Sequence, residues 1–424
     1  IGEVENMFIQ APKGTRDVTP RESYKWQYIE SIIREKCEEN CLHEIRTPII
    51  EHTELFLRGV GDTTDIVQKE MYTFLDKGDR SITLKPEGTA GAVRMFLENK
   101  LFNEAQPTKM YYLNSPVFRY EKPQAGRLRE HHQFGIEIFG APSASADAEC
   151  IILATEIFNK IGIMDLSVNI NSIGCPSCRA EYNKRLKEYL GANLQNLCET
   201  CRTRFDKNPL RILDSKEDRC HGITENAPLI LDSLCSACSS HFEELKSYLG
   251  IAKIDYRVNP TIVRGLDYYT KTVFEIVSNH IGSQGTVCGG GRYDRLIEEL
   301  GGPSMPGVGF GLGIERLLMV VENQGIVIPA PKPVDIFIAT TGDAARTTGF
   351  KLLCMLRAKG FKAEYDHVGR SLKAQFKYAG KLNASYVAII GEEELRLGLV
   401  KLKHMSTGEE KTMPAEKIME QDMK

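Results

Sequence analysis

The alternation of apolar and polar residues divides the first 170 residues into helices and a series of short strands. Apolar side chains recur at helical spacing over residues 22–39, at Trp26, Ile29, Ile33 and Cys37. The run IRTPII (45–50) predicts an edge or kinked strand because it contains a proline. Further short strands are predicted, several joined by hairpin-length connections, at YTFLD, SITLK, KMYYLN, PVFRYE and HQFGIEIFG. This succession predicts an antiparallel sheet, followed by a helix over about 146–161.

The pattern changes between residues 172 and 255, where charged helices and turn residues accompany three C-x-x-C pairs. This segment is predicted to be a separate insertion. After it, IDYRVNP, TVFEIV and GGGRYD return to the chemistry of strands and turns. Residues 307–320 predict a glycine-rich strand that runs into the helix GIERLLMVV.

Prolines at 329, 331 and 333 prevent a helix from continuing and indicate a linker. Beyond it, DIFIAT, a helix over 343–359, KAEYD, a helix near 371–380 and YVAII alternate, which predicts a small α/β domain with parallel pairing. The predicted organisation is a main domain in two parts (7–171 and 256–325), the insertion (172–255), the linker (326–333) and a last domain (334–424).

Composition limits the class of protein. The chain has 424 residues, 42% hydrophobic and 26% charged, as in a globular protein of two or three domains. It has no apolar run of the ~20 residues that a membrane helix needs, and IGEVEN makes no secretory signal. Twelve cysteines without a signal therefore predict reduced thiols and a cytoplasmic location. With a net charge of -3, any nucleic acid would be bound by local patches.

One short segment, FRYEKPQAGRLREHHQFG (118–135), concentrates positive charge. Its cations are Arg119, Lys122, Arg127 and Arg129. A solvated face is the ordinary explanation for one such segment. However, Arg264 and Arg316 also lie in glycine-rich, otherwise apolar surroundings. Because guanidinium groups fork onto phosphate oxygens and stay charged when partly dehydrated, the set predicts a rigid anion-binding pocket.

Two other phosphate-binding signals are absent or weak. The sequence contains no G-x-x-x-x-G-K-[ST] segment, which excludes a P-loop. The runs GVGFG and CGGG are weak signals, because glycine runs mark turns more often than nucleotide cradles.

Four motifs carry a family resemblance, namely KGTRDVTP (13–20), FRYEKPQAGRLREHHQFGIEIFG (118–140), RGLDYYTKTVFE (264–275) and GVGFGLGIERL (307–317). Together they resemble the class II aminoacyl-tRNA synthetases, and most closely the histidyl-tRNA synthetase family. The resemblance implies an α+β catalytic domain with an antiparallel sheet flanked by helices, a helical insertion and a C-terminal α/β anticodon-binding domain. It also implies ATP-dependent attachment of histidine to its tRNA through a histidyl-adenylate.

The resemblance implies a homodimer, and two alternative functions remain open. HEIRTPIIEHTELF would form a homodimer contact, although a core helix and an edge strand would explain it equally well. One rival is a non-catalytic regulatory or sensing subunit on the same fold, which should have lost some of the arginines or the last domain. A synthetase for another amino acid is the second rival, and RGLDYYTKTVFE weighs against it.

The resemblance assigns catalytic and ATP-binding roles to four arginines. Arg119 would hold the α-phosphate and the amino-acid carboxylate, and Arg264 would supply fixed positive charge at the α-phosphate. Arg127 and Arg316 would hold the outer phosphates of a bent ATP. These roles suit a reaction that needs positioning and charge stabilisation rather than a protein nucleophile.

The adenine and the metal ion have assignments of their own. Glu121 would accept a hydrogen bond from the adenine amino group, with apolar contact to the ring from Phe118 or Phe310. Mg²⁺ would accompany the β- and γ-phosphates.

The resemblance places a second set of residues at the histidine pocket, together with Arg119 and Arg264: Glu87, Gly88, Thr89, Gln133, Glu137, Tyr268 and Tyr269. Glu87, Thr89 and Gln133 would bind the α-amino group, while Glu137 and the two tyrosines would face the imidazole ring, which needs both an acceptor and a donor. Alternatively, Glu87 would cap the helix that starts at Thr89, and the tyrosines would be strand packing.

Contacts with tRNA are assigned at two places. Gln124 and Arg129 match positions that read the extra 5′ guanosine of histidine tRNA, and Lys122 would touch phosphate. The last domain carries basic residues near helical spacing at Arg370, Lys373, Lys377 and Lys381. They are either a solvated face or a surface for the RNA backbone.

The cysteine pairs of the insertion are Cys175/Cys178, Cys198/Cys201 and Cys235/Cys238, with Cys220 and His221 between the last two pairs. This spacing is typical of structural Zn²⁺ sites, and four thiolates would complete one tetrahedral site. Alternatively, they are reduced cysteines that cap small helices. The sequence leaves open which pairs share a metal ion.

Overall fold

The computed structural model describes residues 9–61, 64–123, 126–213, 215, 217–263, 266–281 and 285–418. The chain divides into two compact units, Ile1–Ile328 and Pro329–Lys424. The boundary between them falls inside the predicted linker. Among the described helices, none is both long and apolar enough to cross a membrane.

The larger unit is built on β-strands, listed here in chain order: β1 His43–Glu44, β2 Ile50–His52, β3 Tyr72–Leu75, β4 Ser81–Leu84, β5 Thr108–Phe118, β6 Glu130–Phe139, β7 Leu166–Ser172, β8 Tyr256–Val258, β9 Thr270–Ser278, β10 Thr286–Arg292 and β11 Gly307–Gly313. Eight of them form one sheet in the order β1-β5-β6-β11-β10-β9-β7-β8, and β2-β4-β3 form a separate small sheet. Only the two edge pairs of the large sheet, β1/β5 and β7/β8, are parallel. The predicted antiparallel sheet is therefore confirmed.

Helices flank this sheet or lie in the insertion: α1 Ser23–Glu39, α2 Thr53–Val60, α3 Thr89–Glu98, α4 Ala144–Ile161, α5 Pro176–Ala192, α6 Glu199–Lys207, α7 Asp218–Thr224, α8 Ser236–Ile251, α9 Leu296–Glu299 and α10 Ile314–Asn323. The apolar positions predicted for α1, including Trp26 and Ile33, are buried in the main core. That core also contains α4 side chains and the sheet residues Phe134, Phe274 and Phe310, so the helices cover one face of the sheet.

Two strand predictions are wrong in detail. IRTPII is not one strand, because Pro48 has no N–H to donate to a ladder and strand structure resumes only at Ile50. KMYYLN and PVFRYE are not separate strands but parts of β5. The register against β6 shifts between Tyr112 and Ser115, where Asn114 adopts a φ of 52°, so the strand continues through an irregularity instead of turning back.

The cysteine-rich segment packs a small core of its own. Tyr182, Leu186 and Leu190 lie on one face of α5 and bury against Leu197 and Ile212. The segment begins after β7 and returns to the large sheet through β8. Its treatment as a separate domain over residues 172–255 stays a prediction.

The smaller unit alternates strands and helices: β12 Ile336–Thr340, α11 Asp343–Ala358, β13 Ala363–Tyr365, α12 Leu372–Lys381, β14 Tyr386–Ile390, α13 Glu392–Leu397, β15 Leu399–His404, β16 Glu410–Pro414 and α14 Ala415–Ile418. The sheet order is β13-β12-β14-β15-β16. As predicted, β12 pairs in parallel with β13 and β14. The antiparallel strands β15 and β16 complete the sheet and were not predicted.

Candidate active site

A cleft of about 460 Å³ opens on the large sheet, lined by parts of β6, β10 and β11 and by the start of α10. Three of the predicted anion-binding arginines, Arg119, Arg127 and Arg316, line this one cleft, and Glu121 lines it with them. They come from the end of β5, from the segment before β6 and from the first turn of α10. The sheet and helix therefore bring together cations that are nearly 200 positions apart in the chain.

Short contacts hold each guanidinium group in place. The Nε atom of Arg119 donates to the carbonyl oxygen of Pro86 at 2.8 Å. Arg316 donates to the carbonyl oxygen of Thr286 at 2.7 Å. Arg127 pairs through Nε with the Glu121 carboxylate at 3.0 Å. Because these anchors use only part of each fork, N–H donors remain for a ligand.

The electrostatics of the cleft favour an anion. Burial, followed by the charges of Arg119 and Arg316, lowers the pKa of His131 to about 3, so this imidazole is neutral. Burial and then the neighbouring charge of Arg127 lower the pKa of Arg316. Three carboxylates also line the cleft, those of Glu121, Glu275 and Glu315, so an anion would bind at the closely spaced guanidinium groups and not because the whole cleft is positive.

Glycines in β10 and β11 let the backbone form the floor of the cleft. A Cβ atom on Gly311 would lie 2.4 Å from Nε2 of Gln133, and one on Gly290 would lie 2.2 Å from the Gly309 carbonyl oxygen. The GVGFG and CGGG runs therefore lie in paired strands and not in turns. Their glycines are required by close approach between neighbouring strands and side chains.

A smaller cavity of about 90 Å³ lies beside the cleft. Five residues of the predicted amino-acid set line it: Glu87, Thr89, Gln133, Tyr268 and Tyr269. Arg119 and Gln133 line both spaces, so the cavity and the cleft meet at these two side chains. A molecule in the cavity would thus have one end at Arg119 and face any group held by the cleft.

Glu137 is buried behind this cavity, where its Oε2 accepts a hydrogen bond from the hydroxyl of Tyr293. Burial raises the pKa of Glu137 to about 8, although the Tyr293 hydroxyl opposes the shift. Within the described part of the chain, Oε1 of Glu137 and Oε1 of Gln133 have no hydrogen-bond partner. Buried acceptors without partners are costly, and a ligand with N–H donors would satisfy them.

Glu87 has a structural role at the start of α3. Its two carboxylate oxygens accept the backbone N–H groups of Thr89 and Ala90, both at 2.8 Å, so it caps the helix as the alternative interpretation states. Burial nevertheless raises its pKa. Gly88 is explained by packing, because a Cβ atom there would lie 2.4 Å from Cζ of Tyr112.

Tyr268 and Tyr269 form an aromatic wall with Tyr293. Their ring centroids lie 4.7 Å apart, and the centroid of Tyr268 lies 5.4 Å from that of Tyr293. The two tyrosines therefore pack in the protein interior, as the alternative interpretation requires, and also line the cavity.

The remaining predicted residues have different outcomes. Arg264 and Gln124 are outside the described residues. Arg129 stacks on Tyr120, with its guanidinium carbon 4.1 Å from the ring centroid, and its Nε donates to the carbonyl oxygen of the cleft residue Glu121 at 3.1 Å. Phe310 lines the cavity, whereas Phe118 is not among the described residues that line either space.

Lys122 is exposed. In the smaller unit, Lys373, Lys377 and Lys381 lie on α12 and are exposed. Arg370 precedes this helix, pairs with Asp366 at 2.5 Å and stacks on Tyr378. Because Arg370 makes these contacts within the protein, the exposed basic face consists of the three lysines of α12.

The cysteines of the insertion form two groups. The sulfur atoms of Cys175, Cys178, Cys235 and Cys238 lie within 4.8 Å of one another. The sulfur atoms of Cys198, Cys201 and Cys220 form the second group and also lie within 4.8 Å of one another. His221 is exposed, and among the described residues no fourth histidine, cysteine or carboxylate ligand joins the second group.

Tyr112, Tyr293 and His131 contribute to the site but were not predicted. Tyr112 lies directly opposite Gly135 across β5 and β6, where a Cβ atom on the glycine would be 2.3 Å from the tyrosine hydroxyl oxygen. An aromatic residue facing a strand glycine is a usable signal, but only after the register of the two strands is known. His131 and Tyr293 carry no comparable signal in the sequence.

Comparisons with known proteins identify the family of the chain. Residues 14–317 match the sequence model described as histidyl-tRNA synthetase, and residues 335–421 match an anticodon binding domain. The chain is 63% identical over 404 residues to the histidine–tRNA ligase of Caldanaerobacter subterraneus subsp. tengcongensis, covering 95% of this chain and 97% of that protein. It is 61% identical to the ligase of Thermoanaerobacter pseudethanolicus, covering 97% and 98%.

A solved structure is also similar. The apo histidyl-tRNA synthetase of S. aureus is 40% identical and superposes with a TM-score of 0.83, covering 97% of this chain and 99% of that one.

Proposed function

The chain belongs to the histidyl-tRNA synthetase family, and we propose that the cleft binds ATP while the cavity beside it binds histidine. It is a class II aminoacyl-tRNA synthetase that attaches histidine to its tRNA through a histidyl-adenylate. One observation supports the placement of the substrates most directly. Arg119 lines both spaces, and the reacting carboxylate and α-phosphate must meet at one point.

In the first step, the histidine carboxylate attacks the α-phosphorus of ATP and pyrophosphate leaves. Arg119 would neutralise the carboxylate and the α-phosphate as charge develops between them, and Arg264 would add fixed positive charge there. Arg127 and Arg316 would hold the β- and γ-phosphates away from the attacking oxygen. Fixed cations in a partly dehydrated cleft stabilise such charge well because they need no reorganisation.

The adenine end would be held by Glu121, which would accept from the adenine amino group while it stays paired with Arg127. Neither Phe118 nor Phe310 is among the described residues that line the cleft, so apolar contact with the adenine ring from either one stays a prediction. Mg²⁺, which class II synthetases generally use with ATP, would bind the outer phosphates and offset their charge.

Histidine recognition would use the buried acceptors of the cavity. Gln133 and Glu87 would meet the α-ammonium group together with Thr89, while Glu137 would accept the N–H of the imidazole ring. The hydroxyl of a pocket tyrosine would serve the other ring nitrogen. A site built from such groups discriminates strongly against side chains that leave them unpaired.

In the second step, the terminal ribose hydroxyl of the tRNA attacks the mixed anhydride and AMP leaves. Arg129 and Gln124 would read the extra 5′ guanosine, with Lys122 on phosphate. The smaller unit would bind the anticodon, and the exposed lysines of α12 would contact the RNA backbone. The division into domains that the sequence predicts is also part of this proposal.

We further propose a homodimer in the cytoplasm. The small sheet β2-β4-β3 and the segment before it expose apolar side chains at Ile49, Ile50, Phe74 and Leu75. Exposed apolar surface of this kind favours burial against a second copy. A structural Zn²⁺ in the insertion belongs to the proposal as well.

Histidine-dependent exchange of labelled pyrophosphate into ATP tests the proposal. We expect exchange with histidine and none with the other amino acids. Absence of exchange with every amino acid would favour the non-catalytic rival, and exchange with a different amino acid would favour the second rival. The described part of the chain retains three of the four arginine positions in one cleft, which argues against the non-catalytic rival.

A further inference from the structure

The four-cysteine group is assembled from both ends of the insertion. Cys175 is the N-cap residue of α5 and Cys235 is the N-cap residue of α8. Cys178 and Cys238 lie in the first turns of the same two helices. Residues separated by more than fifty positions are thus brought to one point where two helices begin.

The sulfur geometry matches a single tetrahedral metal ion. All four sulfur atoms lie within 4.8 Å of one another, and those of Cys175 and Cys178 are 3.5 Å apart. A Zn–S bond of about 2.3 Å in tetrahedral geometry places the sulfurs roughly 3.8 Å apart. Around a multi-iron cluster the sulfurs lie farther apart, because each thiolate binds a different iron atom.

The surroundings stabilise thiolates. The backbone N–H of Cys235 donates to the sulfur of Cys178 at 3.1 Å. The N-terminal ends of α5 and α8 both face the group, and their dipoles favour the net negative charge of a metal bound by four thiolates. Hydrogen bonds of this kind orient metal ligands and tune their affinity.

Two contacts connect this group with the proposed histidine pocket. Gly174, the residue before Cys175, accepts the backbone N–H of Lys271 at 2.9 Å, and the N–H of Ile173 donates to the Lys271 carbonyl at 2.7 Å. Lys271 lies two positions after Tyr269, which lines the cavity. The start of the insertion is therefore hydrogen-bonded to β9 at Lys271, directly after the two pocket tyrosines.

The second connection begins on α8. His241 lies within hydrogen-bond distance of Asp147, with its Nε2 atom 2.7 Å from Oδ2 of Asp147. Asp147 is fully buried and also accepts from Nε of Arg292 at 2.9 Å. The next residue, Tyr293, donates to Glu137. A chain of buried contacts thus leads from α8 to the carboxylate proposed to hold the imidazole ring.

We propose that Cys175, Cys178, Cys235 and Cys238 bind one Zn²⁺ that fastens the base of the insertion against the start of β9, directly after Tyr268 and Tyr269. The metal has a structural role, since four thiolates leave no position open for substrate. The effect on histidine binding rests on the proposed function, whereas the metal site itself does not. The four cysteines are positioning residues for the pocket.

Zinc content tests the site without reference to activity. The full chain, purified and dialysed without chelator, is analysed for zinc, and we expect Cys238→Ser to lose one equivalent per chain relative to wild type. Cys235→Ser is the second variant, because Cys235 is exposed and its loss perturbs packing less. Cys41→Ser, at an exposed cysteine outside both groups, is the matched control and should lose none. Equal zinc in Cys235→Ser, Cys238→Ser and wild type would overturn the assignment.

Measurements on the unmutated chain test the metal site even if the variants do not fold. Substitution with Co²⁺ should give the visible bands of tetrahedral cobalt and a thiolate charge-transfer band, and zinc X-ray absorption should show sulfur ligands at about 2.3 Å. Oxygen or nitrogen ligands alone, or iron in place of zinc, would contradict the proposal.

Kinetics then test the link to the pocket. In Cys235→Ser we expect the histidine KM in pyrophosphate exchange to rise roughly tenfold or more, while the ATP KM stays within about twofold. Equal changes in both constants would indicate general damage and refute the positioning role. If wild type contains the zinc but shows no exchange with histidine, the proposed function fails and the metal site stands.

Discussion

Substitution of Glu137 by glutamine provides a sharp test, because binding and stability should change in opposite directions. The carboxylate is buried, accepts one hydrogen bond from Tyr293 and has one oxygen without a partner in the described structure. An amide of the same shape cannot ionise and replaces one acceptor oxygen with a donor group. We expect weaker histidine binding together with a more stable empty protein at alkaline pH.

The binding effect follows from the loss of an acceptor that is charged above about pH 8, and histidine binding is therefore measured there. A hydrogen bond to a charged group contributes about 1.5–3 kcal/mol, which corresponds to roughly a 10- to 150-fold rise in the histidine KM. The ATP KM should not change, because the 460 Å³ cleft is lined by other residues. Pyrophosphate exchange at varied histidine and at varied ATP measures both constants.

The stability effect follows from the raised pKa. Burial raises the pKa of Glu137 from 4.5 to about 8 in the folded protein, so folding favours its protonated form. The stability that this group contributes is full below its ordinary pKa and is lost as the pH rises through about 8. Relative to wild type, Glu137→Gln should therefore gain up to roughly 5 kcal/mol between about pH 5 and about pH 9.

Thermal unfolding of the ligand-free proteins across this pH range measures the gain. Glu98→Gln is the control, since the Glu98 side chain is 68% exposed and should change neither readout. A histidine KM within about threefold of wild type would show that Glu137 does not hold the substrate. Loss of stability at alkaline pH would show that the buried carboxylate is ionised and paired in the folded state.

The remaining predictions concern three arginines. Arg119→Lys keeps the charge but loses the planar fork and the Nε hydrogen bond to Pro86, so the rate of pyrophosphate exchange should fall about a hundredfold. Arg80→Lys, on the exposed β3–β4 turn, is the control and should not change that rate. Arg264→His should lower adenylate formation steeply with tRNA affinity nearly unchanged, and equal losses in exchange and filter binding would disprove its role. Arg129→Ala should impair tRNA charging far more than pyrophosphate exchange. If the variant still discriminates between tRNA with and without the extra guanosine as the wild type does, Arg129 does not recognise that guanosine.

Short motifs bring several of the predicted site residues together in the structure, while their chemical roles stay predictions. Arg119, Arg127 and Glu121 lie within nine residues and line one cleft, and the helix after GVGFGLG brings Arg316 to the same place. Besides Arg119, five residues that the resemblance assigns to the histidine pocket line the smaller cavity. Both results depend on local sequence, because the strand or helix next to each residue sets the position of its side chain.

Prediction failed where the outcome depended on strand register. KMYYLN and PVFRYE became one strand because the backbone at Asn114 absorbs an irregularity in the pairing with β6. Tyr112 and Tyr293 went unnoticed because their importance comes from glycines and a carboxylate on other strands. Glu87 illustrates a third case, in which a helix cap and a wall of the cavity are the same side chain.

The sequence by itself determined the antiparallel sheet, the proline-rich break near residue 329, the alternation of the last domain and a set of guanidinium groups suited to a polyanion. These follow from apolar periodicity, proline chemistry and fixed guanidinium charge, which are properties of nearby residues. Only the tertiary structure decided which cysteines lie together, that Arg119 lines both the cleft and the cavity, and that burial raises the pKa of Glu137. Those properties arise from distances and burial among residues far apart in the chain, and no local pattern encodes them.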